Sequence, residues 1–438
     1  MGQFYKMLIL FISLISLQNS NSQSYHGLGV DNYGGIHGLI LNPSAVVSSK
    51  LRADINLFSV SALAANDYFA IDLKSIKAGE AEFNFDSGVR KTPTDSNNFL
   101  FNADFIGPSV MFNLSPKHSM AITTRGRGAL NFSNLNGELY ESFEDGFDET
   151  KDIKTEMENL NGTFHTWAEI GLSYGRLILN KEKNLMKGGI SLKYLMGAGA
   201  MYFSSNQLTA DYAGSSGSLA TTGDLQYGST RDFDSQEIEL SHAGSGFGID
   251  LGFTYEYRPL SEDNNSDYKL KLALALTDVG KVSYNDVPVN TYDLNASVDT
   301  DDFGDADFET ILMENYQGTE EITNESIALP TAFNMVLDYM VKKRLYLSLF
   351  GNLALTPESK FQTNSLLNSV TVMPRFETQW LGIGIPVGIR QYDQLTVGTN
   401  LRLGPFIAGS GSVISNLLAN DTRSTDIYVG LKVPLYKK

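Results

Sequence analysis

The sequence predicts an all-β fold: a single transmembrane antiparallel β-barrel of about 14 strands with a plug-like N-terminal segment. Three observations point there. Apolar residues recur at every second position in segment after segment. The links between those segments take turns at being short and long. Beyond the first 23 residues no uninterrupted apolar run is long enough for a spanning helix, which needs roughly 20 residues.

The C-terminal segment sets the pattern. Between Asp426 and Lys438, Ile427, Val429, Leu431, Val433 and Leu435 fall on one face. Tyr428, Gly430, Lys432, Pro434 and Tyr436 fall on the other. Alternation with period two marks a strand with one apolar face. A last strand ending in an aromatic residue is how outer-membrane barrels close.

Composition narrows the class. The chain has 438 residues, 42% hydrophobic and 19% charged, so disorder is excluded. A net charge of −17 argues against nucleic-acid binding, which needs a basic face. With no cysteine, disulfides, thiol catalysis and a lipoprotein anchor are excluded. Lys6 followed by an apolar run to Leu17 and a polar stretch to Gln23 reads as a secretory signal peptide over residues 1–23.

Residues 24–50 come next and are rich in glycine: Gly27, Gly29, Gly34, Gly35 and Gly38, before Asn42-Pro43-Ser44-Ala45. They have neither a strand period nor the composition of a stable helix. A plug within the barrel or a loose leader fits, with Gly34, Gly35, Asn42 and Pro43 as the plug candidates. The barrel itself occupies 51–438. Three short strands are expected at Leu51 to Val60, Asp67 to Lys74 and Glu80 to Ser87, then a long one from Phe99 to Leu114. Ser115 to His118 is a tight turn.

From there the links alternate. Asn131 to His165 is long. The strand that follows turns Ala168, Ile170, Leu172 and Tyr174 one way and Glu169, Gly171, Ser173 and Gly175 the other. Lys181 to Asn184 is short, and Ser204 to Gly246 is long. Phe247, Ile249, Leu251, Phe253, Tyr255 and Tyr257 alternate without a break, and Leu270 to Leu276 forms the return strand. Gly280 to Ala328 is long, and Val341 to Arg344 is a turn. Thr356 to Pro374 and Gly404 to Arg423 read as links. Short turns and both chain ends on one side, with long loops on the other, are what outer-membrane barrels show. A soluble sandwich has no reason to sort its loops this way.

The face between the apolar rows carries Arg125, Arg127, Glu169, Lys193, Asp250, Glu256, Lys269, Lys271, Asp338 and Arg402. These are too many charges for a soluble core. They are the candidates for lining a wet lumen. No metal site and no cofactor are expected. The histidines share no ligand spacing. The acidic stretches at 138–158 and 299–309 read as solvated loops; the second starts like a calcium loop but has Phe303 and Thr310 where oxygen ligands belong. Ser241 beside His242 is too cheap a pairing to predict an enzyme.

Gly34 through Asn42-Pro43-Ser44-Ala45 to Arg52-Ala53-Asp54-Ile55-Asn56-Leu57 resembles an uncharacterised family of outer-membrane barrels from Bacteroidetes. Leu403-Gly404-Pro405-Phe406-Ile407-Ala408-Gly409-Ser410 looks like the same family. More distantly, a Gly-rich N-terminus ending in Asn-Pro before the first strand is similar to the FadL-like fatty-acid channel superfamily, from which Ser44 between Pro43 and Ala45 departs. That resemblance implies 14 strands and a hatch in the lumen. The expected role is passive transport of small hydrophobic molecules across the outer membrane. The alternative is a non-transporting docking barrel for a cell-envelope secretion or gliding assembly. The expected partners are outer-membrane lipid, lipopolysaccharide and an envelope protein.

Overall fold

The computed structural model of the chain describes residues 25, 27–72, 89–230, 243–259, 268–303, 308–356 and 362–436. The signal segment, the strand expected at 80–87 and the Ser241–His242 pair lie outside them.

One antiparallel sheet closes on itself as a barrel of 14 staves. The first four are β1 (Leu51–Asn66), β2 (Asn97–Ile106 and Ser109–Ser115), β3 (His118–Leu135) and β4 (Ile153–Lys181). Next are β5 (Asn184–Ala213), β6 (Ser218–Ser229 and Gly244–Tyr257), β7 (Leu270–Asp293) and β8 (Gln317–Ala328 and Ala332–Lys342). Then come β9 (Leu345–Ala354), β10 (Ser369–Glu377) and β11 (Leu381–Gly384 and Val387–Arg390). The ring ends with β12 (Asp393–Val397 and Thr399–Leu403), β13 (Phe406–Ser410) and β14 (Ser424–Tyr436). β14 pairs with β1 from Leu51↔Tyr436 to Ala65↔Ser424, so the ring has no edge. In hydrocarbon that closure is obligatory, because an open edge would strand its backbone groups without water.

The alternation falls as the residue pattern predicts. Ile170, Leu172, Leu192, Leu251 and Ile389 point outward and are exposed, and Phe247 is 75% exposed. Between them Glu169, Ser173, Lys193 and Asp250 are buried within. Aliphatic side chains turned away from the protein in a continuous band are stable only against lipid. Among the described residues no helix is long and apolar enough to cross a membrane.

Three expectations change. The stretch from Asp67 to Lys74 is not a stave: only Phe69–Ile71 is strand, paired with Val89–Lys91 in a separate two-stranded sheet. Two staves, Ser369–Glu377 and Phe406–Ser410, lie where links were expected. Both are short, and Pro374 and the nearby Gly404-Pro405 disguise them as turn sequence.

The third change is larger. The long links around 131–165, 204–246 and 280–328 are mostly strand. β4, β5, β6, β7 and β8 continue beyond the apolar belt and stay paired, for example Ile153↔Tyr212 and Tyr292↔Gly318. This extension has its own core of Met157, Leu208, Tyr212, Leu225, Tyr292 and Ile311. Helix α1 (Gly137–Asp145) packs into it through Leu139, with the side chain of Asn136 capping the Leu139 N–H at 2.9 Å. Glu138, Glu141, Glu144 and Asp145 therefore sit on a helix, not in a loop. Alternation here was hidden because one face meets water and the other meets a cap core with many tyrosines.

The lipid-facing assignment has a direct consequence. Ile170→Arg in the middle of the apolar run of β4 should destabilise the barrel by about 2–4 kcal/mol. Denaturant unfolding in lipid vesicles would measure it, and an effect under 0.5 kcal/mol, the range of ordinary surface changes, would place Ile170 in water.

Candidate functional site: the filled lumen

The N-terminal segment is folded inside the ring. Two short helices, Ile36–Leu41 and Ala45–Ser48, form its body. Leu28, Ile36, Leu39 and Val46 are buried and pack against Leu51, Ile106, Met111 and Tyr428 of the wall. Its contacts reach staves on every side of the ring, which puts the segment across the lumen.

Toward the short-turn end, polar side chains hook it to the wall. Asp31 accepts from Arg402, Nε to Oδ2 at 2.9 Å. Asn32 donates to Glu377 and accepts from the Tyr268 hydroxyl (2.9 Å) and the Lys271 ammonium (3.1 Å). Lys432 donates to the carbonyls of Tyr33 (2.7 Å) and Gly34 (3.0 Å) and pairs with Asp54 at 3.3 Å. Asp54 in turn accepts from the Ile36 N–H at 3.0 Å. The Gly35 backbone has φ 62°, and a Cβ there would overlap the Asp54 carboxylate. Only glycine lets the chain turn so close to that acid.

Farther along, Asn42 donates to the carbonyls of Phe253 (3.3 Å) and Leu274 (3.0 Å), and the Ser44 hydroxyl meets Thr254 at 2.6 Å. Wall glycines make room for this stretch. A Cβ on Gly189 or Gly252 would run into Pro43, and one on Gly175 into Val46. The four plug candidates thus act differently. Gly34 and Asn42 bond to the wall, Gly35 permits the turn, and Pro43 lies in a cradle of wall glycines.

The lumen-lining candidates form separate ion-pair groups. Arg125, Arg127, Glu169, Lys193 and Asp250 meet in one, joined by Asp104 and Asp278: Arg127 lies 3.1 Å from Glu169 and 2.9 Å from Asp278, and Lys193 is 2.8 Å from Asp250. Glu256 pairs with Lys187 and Arg258. Asp338 lies between Arg375 at 2.7 Å and Lys271 at 3.4 Å. Arg402 is held by Asp31. Lys269 differs. Its ammonium donates to the Met340 carbonyl at 2.7 Å and covers the Tyr339 ring, while Tyr268 takes the inward place. The alternation breaks one residue before β7 begins, so counting back from Lys271 points Lys269 the wrong way.

Several residues here escaped the sequence reading. Asp278 follows a bulge and has φ 58°, which puts it out of phase with Leu276. Arg375 and Glu377 lie on the stave taken for a link; the run Val370, Val372, Phe376 was the missed signal. Residues 363–367, earlier in the same supposed link, fold into the lumen from the long-loop end and are buried. Asn364 donates to the Ala328 carbonyl (3.2 Å) and lies 2.7 Å from His165 Nδ1. The Ser365 N–H donates to Asn131 (3.1 Å), and Asn352 donates to the Leu367 carbonyl (3.1 Å). Between this turn and the N-terminal segment lies a cavity of ≈ 40 Å³, bordered by Tyr25, Val30, Leu41, Arg127, Phe350 and Leu366.

The family model described as "Family of unknown function (DUF5723)" matches residues 43–411. No curated protein matches the chain. Among solved structures it is similar to a TodX monoaromatic hydrocarbon channel deltaS2 mutant, with 9% identity, a TM-score of 0.44 and coverage of 96% of each chain. It is also similar to the Pseudomonas putida toluene transporter TodX, at 7% identity and a TM-score of 0.38 over 94% of this chain and 93% of that one. The CymD monoaromatic hydrocarbon channel is similar at 8% identity and 0.36 over 95% of each.

Two expected outcomes test the docking. Gly189→Leu should expel the Pro43 stretch and expose residues 27–50 to added protease while the barrel stays folded; continued protection would mean Pro43 does not sit on Gly189. His37 packs edge-on against Tyr25 and bonds to Ser59 at 3.0 Å. Burial, helped by the Lys432 ammonium, pushes its imidazole from 6.5 down to about 3. A docked His37 stays neutral, whereas a released one takes up a proton below pH ~6.5, so docking weakens as pH falls, by roughly 2 kcal/mol at pH ~5. The protection of residues 36–48 against hydrogen exchange, taken relative to the intrinsic rate at each pH, should fall on acidification and lose that dependence in His37→Gln.

Proposed function

The chain belongs to a family of unknown function, DUF5723, and we propose from its geometry that it is a gated outer-membrane channel for small hydrophobic molecules, with residues 25–50 as the gate. One observation carries this reading. The lumen is occupied by a segment that precedes the first stave and joins it at Lys50–Leu51. Among the described residues it is otherwise held by apolar packing, side-chain hydrogen bonds and ion pairs, not by a sheet ladder. On release water has to replace these partners, at a net cost of about 1 kcal/mol for a neutral hydrogen bond and more for a buried ion pair. A permanent filler would gain nothing from being detachable. Apolar cargo suits the surfaces that would be uncovered: Val30, Leu39 and Leu41 of the segment and Phe350 of the wall.

The chain has no cysteine, which makes a clean test possible. Ser44 and Thr254 touch through their hydroxyls, so Ser44→Cys with Thr254→Cys should form a disulfide that pins the segment. In planar bilayers, reduction of that bond should raise conductance at least about tenfold; equal conductance in both states would overturn gating by this segment. The folded cap above the belt favours a second reading, a docking barrel that transports nothing. Unchanged conductance together with a protein crosslinked through the cap would support it.

A further inference from the structure

The cavity between the N-terminal segment and the turn at 363–367 has two unlike sides. One is apolar: Val30, Leu41, Phe350 and Leu366. The other presents Arg125, Arg127 and Asp278, members of the buried ion group. That group joins three cationic side chains, Arg125, Arg127 and Lys193, to four acids, Asp104, Glu169, Asp250 and Asp278. Acids already outnumber cations there, and both arginines are engaged by carboxylates. A further carboxylate would enter a buried site whose cations are taken, and would be repelled by Asp278. In a buried site, where screening by water is weak, such repulsion strongly disfavours a second carboxylate. A neutral hydroxyl meets no such barrier and can accept from the guanidinium or donate to the carboxylate, while a neutral carbonyl can accept from the guanidinium.

As it stands the cavity, at ≈ 40 Å³, has room for only a few waters. Its strand walls are fixed by the closed sheet. Leu41 on one side and Leu366 on the other belong to the two inserted pieces, and these are the walls that can give way.

We propose that this chamber is the transit site of the channel and selects small uncharged molecules with an apolar body and one hydrogen-bonding group over carboxylates. The inference rests on the transport reading and adds the ligand class. Trp167 offers the readout: it is buried, and the Arg127 guanidinium lies 4.8 Å from its ring. The chain has two tryptophans, so Trp380→Phe leaves Trp167 as the only one, read by excitation that tyrosine does not absorb.

The full chain carrying that change is titrated in micelles with cyclohexanol and with cyclohexanecarboxylate, which match in shape and differ in charge. Cyclohexanol should shift Trp167 emission saturably, and the carboxylate should need at least about tenfold more. Leu366→Phe, which fills the chamber, should abolish the cyclohexanol response while the barrel stays folded. Asp278→Asn should narrow the gap between the two ligands. Equal or tighter binding of the carboxylate overturns the selectivity. A response that survives Leu366→Phe, or none with either ligand, overturns the site. If the disulfide-pinned gate still opens on reduction, those failures refute the ligand class and leave the transport reading standing; a gate that does not open refutes the latter.

Discussion

Every charge inside a closed sheet has to be paired inside it. Within the belt the outer face of this barrel is aliphatic, so the alternation sends the charged side chains there to the lumen, away from bulk water. Desolvating an ion costs several kcal/mol unless partners compensate. The wall alone does not supply them all. Lys432 is fully buried, and two of its partners are carbonyls of the N-terminal segment. Arg402 meets Asp31, and Glu377 meets Asn32. Wall and insert are therefore halves of one electrostatic structure, and the insert is docked by the needs of the wall.

Shape follows the same division. Gly175, Gly189 and Gly252 lie on three consecutive staves, β4 to β6, and together leave a shallow trough against which Pro43 and Val46 rest. On the far side of the chamber the turn at 363–367 is held by Asn131, Ala328 and Asn352. The two inserts meet around a small space with a greasy side and an ionic side.

Much of the barrel was legible residue by residue. The apolar rows from Phe247 to Tyr257, Leu270 to Leu276 and Ile427 to Leu435 stated their strands and their lipid faces, because a side chain's face depends only on its parity within its own strand. Parity failed where the strand itself was irregular. Asp278 lies at a bulge, Lys269 one residue outside its strand, and Arg375 on a short stave behind Pro374. The cap strands failed for a different reason: with water on one face and a tyrosine-rich core on the other, they lose the aliphatic contrast that makes a membrane strand visible.

By itself the sequence determined the all-β class, the barrel, the sorting of short and long links and the glycine-rich segment ahead of the first strand. These are local properties, written in period and in spacing. Only the tertiary structure decided that this segment fills the lumen, which charges pair and where the chamber lies. Asp31 and Arg402 are 371 residues apart, and what joins them is closure of the ring, which sets staves face to face across the lumen by geometry that no local pattern encodes.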